Sequence, residues 1–265
     1  MTDWKKRLAI VSDEAAASFT EAVAVCRPLG IRAFELRNFV EGRFPDIEDR
    51  TVEEILTVSQ QESLTLLGVS PGFFKGTVEG EQTERAFQVG FSKAFRLIDR
   101  LGVRRLAEFS FKREGGRDTP IPSNVVERLQ QAADLCRQEG IELIIENSAD
   151  SWGDTGANLA DLAQKVGVRV TWDPGNAAAS GETAFPDGYQ VVRDHIAHIH
   201  FKNWTSDEGN VAINAGVVDF AGQVSALKAD SYDGYYCIEP HQWHDRANAT
   251  RLNTKQLLAL LSSND

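Results

Sequence analysis

Carboxylates and imidazoles stand at the ends of four apolar runs: Ile144-Ile145-Glu146-Asn147, Thr171-Trp172-Asp173-Pro174-Gly175-Asn176, His198-Ile199-His200-Phe201-Lys202-Asn203 and Cys237-Ile238-Glu239-Pro240. In each, the polar residue follows apolar residues and precedes a Gly, Pro or Asn cluster, which is how buried parallel strands finish. Glu146, Asp173, His200 and Glu239 are separated by 27, 27 and 39 residues, an order and spacing that suggest one divalent-metal site at the mouth of a barrel. Three carboxylates with one imidazole make a mostly oxygen-donor, octahedral-leaning set. Such a set favours Mn²⁺ or Mg²⁺ over a thiolate-type zinc site, although Co²⁺ or Zn²⁺ fits as well. The expected cofactor is therefore one divalent ion, with Mn²⁺ the first choice. His198 and His200 lie on the same side of one strand, and periodicity alone does not choose between them.

The elements that must carry these residues alternate without a break. The apolar pattern predicts strands over Leu8–Ser12, Ala33–Arg37, Leu64–Ser70, Arg105–Phe111, Glu142–Glu146, Val168–Asp173, Ile196–Phe201 and Tyr235–Glu239. Helical spacing predicts helices over Ala15–Leu29, Thr51–Glu62, Thr83–Leu101, Ser123–Gln138, Asn158–Val166, Tyr189–Arg193, Phe220–Lys228 and Thr250–Leu261. Gly30, Gly102, Gly140 and Gly167 stand where helices should stop. Eight strands with long crossovers indicate an α/β fold, a single (β/α)8 TIM barrel occupying 1–265 as one domain. An open doubly wound sheet shares the alternation. However, Asp13-Glu14-Ala15-Ala16-Ala17 follows the first strand and no GxGxxG or GxxxxGKS occurs, so nucleotide binding has no motif behind it.

Composition narrows the partners. The chain has 28 Lys and Arg against 39 Asp and Glu, a net charge of −11, which disfavours nucleic acid. Cys26, Cys136 and Cys237 are odd in number, far apart and set in apolar segments, the pattern of reduced, buried thiols in a cytoplasmic protein. The start, Met1-Thr2-Asp3-Trp4-Lys5-Lys6-Arg7, lacks the apolar length of a signal peptide, and no later run reaches 18 apolar residues, so no membrane association is expected. A homo-oligomer is compatible with the exposed helices of such a barrel.

Phe34-Glu35-Leu36-Arg37, the turn Gly68-Val69-Ser70-Pro71-Gly72 and the block from Ile145 to Asn203 resemble the sugar isomerase/epimerase branch of the xylose isomerase-like barrel superfamily. Trp172-Asp173-Pro174-Gly175-Asn176, then Gly181-Glu182, then His198-Ile199-His200-Phe201-Lys202, is the most specific piece. The resemblance covers most of the chain. It implies Glu146, Asp173, His200 and Glu239 as metal ligands, with Glu146 and Glu239 also moving protons, and leaves His198 to packing or ligand support. In isomerisation or epimerisation a C–H beside a carbonyl loses its proton, and a cation bound to the carbonyl and a neighbouring hydroxyl stabilises the resulting enediolate. Two carboxylates on opposite sides of that carbon can remove and return the proton, a contribution of roughly 10² to 10⁴ in rate.

Glu35, Arg37, Asn176 and Lys202 are candidates to orient substrate oxygens, and Trp204 and His244 to line the substrate. Trp152, Trp204 and Trp243 are candidates for walls against sugar C–H faces, or else loop anchors. Glu35 with Arg37 has the alternative of a structural ion pair. Glu108 with Lys112 has the alternative of a barrel salt bridge, and Cys237 reads as core. The chain departs from the branch at Asn203, where an acidic residue is common, and at Asn214-Ala215-Gly216, where a Gly-x-Gly turn is common.

The expected activity is a metal-dependent isomerase or epimerase acting on a small sugar or keto-polyol. The nearest rival is elimination from the same site, giving a dehydratase or keto-glycoside lyase, for which Lys202 and His244 are the residues to watch. All five histidines lie between 195 and 244, unlike the dispersed set of the three-zinc endonuclease branch. A non-catalytic sugar-binding protein would be marked by loss of a ligand, and none is lost. No phosphate-binding Gly loop is visible, which points to an unphosphorylated substrate.

Overall fold

A computed structural model describes residues 4–263 of the chain, so the first three residues of the N-terminal stretch discussed above lie outside the described residues. Eight strands close into a barrel. Numbered in chain order they are β1 Leu8–Val11, β2 Ala33–Leu36, β3 Thr65–Val69, β4 Arg105–Glu108, β5 Glu142–Glu146, β6 Arg169–Trp172, β7 Ile196–Phe201 and β8 Tyr236–Ile238. Each lies parallel to its chain neighbour, and β1 closes the ring by pairing Ala9 with Ala33 on one side and with Cys237 on the other.

Burial on both faces explains the near-continuous apolar strands. Ile10, Phe34, Leu36, Ile199 and Phe201 face outward into the layer shared with the helices, where they meet Phe19, Val52, Ile55 and Leu257 among others. Ala9, Val11, Ala33 and Cys237 form a smaller inner cluster, and small side chains suit that narrow space. Two register slips lie beside the site. Val170 pairs with Ile196 whereas Thr171 pairs with His198, and Phe34 pairs with Leu66 whereas Glu35 pairs with Gly68. The extra residues are Ala197 and Leu67, and such bulges re-aim the side chains that follow them.

The helix Ser123–Gln138 and strands β5 and β7 have the bounds that the sequence predicts. Elsewhere local chemistry moves the ends. The first helix is Phe19–Cys26 rather than Ala15–Leu29, because the Ser18 hydroxyl accepts from Glu21 N at 3.3 Å and caps it there. Ser12–Glu14 before it is a separate 3₁₀ turn. The span expected as Thr83–Leu101 begins at Glu81 and passes through a π turn at Ala86–Gly90 before Phe91–Leu101. Apolar periodicity does not show a short helix, Pro174–Ala179, or two hairpins, Asn38–Phe39 with Gly42–Arg43 and Asn203–Thr205 with Gly209–Val211. Among the described residues no helix is long and apolar enough to cross a membrane.

All three thiols are buried and free, and burial pushes each up to about 12. Ellman titration of the native protein at pH 8 is expected to find no reactive thiol, and all three in guanidinium. A thiol reacting at the native-state mixing time would contradict this packing.

Candidate metal and substrate site

Glu146 is the last residue of β5, Asp173 and Glu239 follow β6 and β8 by one position, and His200 is the penultimate residue of β7. All four are buried, and one potential ligand atom from each lies within 4.8 Å of the others. His200 Nδ1 is 3.2 Å from Glu146 Oε1 and 3.4 Å from Glu239 Oε2. The other ring nitrogen, Nε2, is 3.1 Å from Glu35 Oε2. A proton on Nε2, donated to Glu35, leaves the Nδ1 lone pair facing the carboxylates, as ligand histidines require. Glu35 also lies 3.3 Å from His198 Nε2. Burial alone would raise the Glu35 carboxyl, but the two imidazoles outweigh it and hold the group ionised.

Asp173 is placed by a lattice of amides. Its side chain caps the helix Pro174–Ala179 by accepting from Asn176 N at 2.9 Å, with Pro174 in the first turn. Asn147 Oδ1 accepts from Asp173 N at 2.8 Å, Asn147 Nδ2 donates to Asp173 O at 2.8 Å, and Asn176 Nδ2 donates to Asn147 O at 2.9 Å. One carboxylate oxygen is thereby spent on the cap. The other, Oδ2, is buried without a well-aligned hydrogen bond and lies 2.7 Å from Lys202 Nζ. Burial raises the Asp173 carboxyl to about 6 despite the Lys202 charge. A buried, under-satisfied carboxylate oxygen beside two further carboxylates and an imidazole lone pair fits a divalent cation.

Gly175 holds this corner against β7, because a Cβ there would collide with the Lys202 carbonyl. Gly175→Ala is expected to cost about 1–3 kcal/mol and to weaken metal binding by shifting Asp173. A denaturant melt and a metal titration of the variant check both.

Glu239 is the most heavily contacted carboxylate. Lys202 Nζ donates to its Oε2 at 3.0 Å, Arg37 Nη1 donates to its Oε1, and His241 Nε2 is 3.1 Å from Oε1. Burial would raise it, yet His241, Lys202, His200 and Arg37 hold it well below the usual carboxylate range. Arg37 is itself clamped by Glu14 at 2.6 Å and Asp13 at 3.0 Å.

A pocket of about 360 Å³ opens over this cluster. Glu35, Arg37, Asn176, Lys202, Glu146 and Glu239 line it, as does Trp243. Other candidates do not. Trp204 packs from its hairpin against the hydrophobic core, and Trp152 is buried beneath the Arg113 guanidinium, 4.7 Å from its ring centre. His244 lines an adjoining depression that shares His241 and Trp243 with this pocket. Glu35 and Arg37 do not pair with each other, since each has nearer partners across the barrel. Nor does Glu108 pair with Lys112: Glu108 accepts from Phe73 N at 3.1 Å and Phe74 N at 3.2 Å, while Lys112 reaches the pocket. Sequence reasoning misses Asp13, Glu14, Arg43 and Lys75, while His241, which it leaves open between a solvent-facing and a substrate-side role, lines the pocket. The first two lie in a stretch that reads as the start of a helix, and the others lie in loops without periodicity.

The chain superposes on solved structures over nearly its whole length. The probable 3-DHS dehydratase AsbF, involved in petrobactin synthesis, from Bacillus anthracis has a TM-score of 0.76 at 17% identity, covering 95% of this chain and 98% of that one. An L-ribulose 3-epimerase has a TM-score of 0.74 at 15% identity, with coverages of 97% and 95%. The IOLI protein, with a binding zinc atom, has a TM-score of 0.76 at 15% identity, with coverages of 98% and 99%. At these identities the likeness shows the fold alone. No curated protein sequence matches the chain. The sequence profile of one family, described as xylose isomerase-like TIM barrel, matches residues 23–261, nine-tenths of the chain and all of the barrel beyond β1, and the chain therefore belongs to that family.

Proposed function

We propose that the chain is a divalent-metal-dependent sugar isomerase or epimerase that moves a proton at a carbon beside a carbonyl. The observation that carries this reading is the placement of two carboxylates, Glu146 and Glu239, at 3.2 and 3.4 Å from the His200 Nδ1 atom, with Asp173 completing a four-residue candidate ligand set. Glu146, Asp173, His200 and Glu239 would hold the ion, and Mn²⁺ or Mg²⁺ suits their oxygen-rich donors, with zinc, which the IOLI structure contains, also compatible. When bound, such an ion polarises a substrate carbonyl and the adjacent hydroxyl. Glu239, kept ionised by its cationic neighbours, accepts a proton at a carboxylate oxygen, and Glu146 serves the other face. Lys202 and Arg37 fix the Glu239 carboxylate, while Asn176 and Trp243 shape the pocket.

The L-ribulose 3-epimerase and the 3-DHS dehydratase share the fold and stand for the two outcomes of such chemistry, return of the proton or expulsion of a leaving group. Elimination needs an acid at the leaving group. Lys202 is committed to Asp173 and Glu239, which hold its ammonium well above the ordinary lysine range, and His244 lies outside the pocket. Both features favour isomerisation or epimerisation. The test is solvent deuterium exchange into a panel of hydroxy-ketones by the Mn²⁺-loaded protein, followed by product analysis. Label at the carbon beside the carbonyl with retained carbon skeleton and hydroxyls is expected. An unsaturated or cleaved product would replace this reading with a lyase, and no exchange into any member would overturn it.

A further inference from the structure

The ligand set comes from β5 to β8, and the loops after β2, β3 and β4 bring cations to the opposite arc of the barrel mouth. Arg43, Lys75 and Lys112 follow β2, β3 and β4, and all three line the pocket. Arg43 has no ion-pair partner, although the charge of Glu108 acts on it; its Nε donates to Ser70 O at 3.0 Å and Nη2 to Ser70 Oγ at 2.9 Å. Lys75 projects over the Phe109 ring, 5.1 Å from its centre. Lys112 N donates to Gly76 O at 2.8 Å, which places the two lysines on adjoining backbone. Among the described residues none of the three forms an ion pair with a carboxylate: Asp150, which follows β5, pairs with none of them, Glu35 on β2 is taken by His198 and His200, and Glu108 on β4 accepts from Phe73 N and Phe74 N. The other pocket cations differ in this respect. Arg37 is shared by Asp13, Glu14 and Glu239, and Lys202 by Asp173 and Glu239.

Like charges gathered at one wall of a half-enclosed pocket repel one another and gain when an anion arrives. Partial desolvation at the pocket wall lowers Lys75 from its ordinary value, and the nearby Arg43 and Arg37 lower it further. On a chain whose net charge is −11, a wall of unpaired cations is not a product of average composition. We propose that this wall is an anion subsite and that the substrate is a hydroxy-keto acid, its carboxylate docked on Arg43, Lys75 and Lys112 while its hydroxy-carbonyl end lies at Glu146 and Glu239. A phosphate in a barrel is characteristically cradled by backbone N–H groups after the seventh and eighth strands. Here the cations are side chains after the second to fourth strands, which suits a carboxylate. The assignment rests on the isomerase reading for the other end of the molecule.

The experiment compares three probes of one carbon number: a neutral ketohexose, a keto-uronic acid and a ketohexose 6-phosphate. Calorimetry on the Mn²⁺-loaded wild type and on the Lys75→Gln/Lys112→Gln variant measures affinity at low and high salt, and deuterium exchange is followed in parallel. Both lysines are exposed, so the variant should fold, and its melting curve checks this. The acid is expected to bind the wild type about tenfold or more tighter than the neutral sugar, with that preference collapsing in the variant and at high salt. Equal affinities for acid and neutral sugar, or a preference that survives in the variant, would overturn the subsite. Preference for the phosphate ester over the acid would overturn the carboxylate assignment. Exchange into the neutral sugar without charge preference sinks the subsite and leaves the isomerase standing. Charge preference without exchange into any probe does the reverse.

Discussion

Glu239→Gln is expected to lower deuterium exchange by roughly 10² to 10⁴ while leaving the barrel folded. The change is nearly isosteric, and the amide oxygen still accepts from Arg37 or Lys202, both of which now donate to the carboxylate. What is lost is the charge on which the proposed roles of base and ligand depend. Arg37 keeps Asp13 and Glu14, so no buried cation is stranded. Loss of a ligand alone would also slow the reaction, so the comparison belongs at saturating Mn²⁺, with bound metal measured on the same sample. Metal-loaded variant protein without exchange supports proton transfer at Glu239. Exchange within a few-fold of wild type under those conditions would remove Glu239 from the proton-transfer step. The melting temperature should move little, because whichever cation loses its bond to residue 239 keeps other carboxylates, Asp13 and Glu14 for Arg37 and Asp173 for Lys202.

Chelation is the second large effect. A site that binds an ion only in the folded state stabilises it by RT ln(1 + [L]/Kd), about 4 kcal/mol at a thousandfold excess over Kd. For a chain of this size that amounts to a melting temperature higher by about 10 °C. The chelated protein should nevertheless stay folded, since Lys202 sits between Asp173 and Glu239 and Glu35 faces His200, so the cluster is not left as bare negative charge. Scanning calorimetry of chelated and Mn²⁺-restored protein measures the difference, and Asp173→Asn should flatten it. Coincident melting curves with and without Mn²⁺ would refute the four-ligand set.

The barrel was legible in the sequence because its strands are buried on both faces and its helices end at glycines; strand β5 and helix Ser123–Gln138 fall where apolar periodicity places them. The grouping of Glu146, Asp173 and Glu239 with a histidine of the seventh strand was legible for a related reason, while the choice of His200 over His198 came from the family resemblance. A polar residue closing an apolar run lies at the carboxyl rim, and in a closed barrel all such rims face one space. The tautomer of His200 was not legible, since it depends on Glu35, which lies 165 positions away and reads locally as a partner for Arg37. The cationic wall was equally hidden. Arg43 sits in a hairpin too short for periodicity, and Lys75 and Lys112 meet only because the loops after β3 and β4 are joined through Gly76. Trp204 and His244 were placed near the site from chain proximity alone, and the loops carry both away from it.

The Arg37 clamp has a bearing on how the molecule comes into being. Glu239 arrives on the last strand, 202 positions after the arginine that grips it, and His241 N donates at 2.8 Å to Glu14, just beyond the first strand. The seam between the two ends of the barrel therefore runs through the candidate site. A growing polypeptide that has made seven strands holds Glu146, Asp173 and His200 but has neither the closing strand nor the carboxylate that completes the set. On the proposed reading, chemical competence would come only with the final ring closure, and a partly made or partly opened chain would be silent toward substrate.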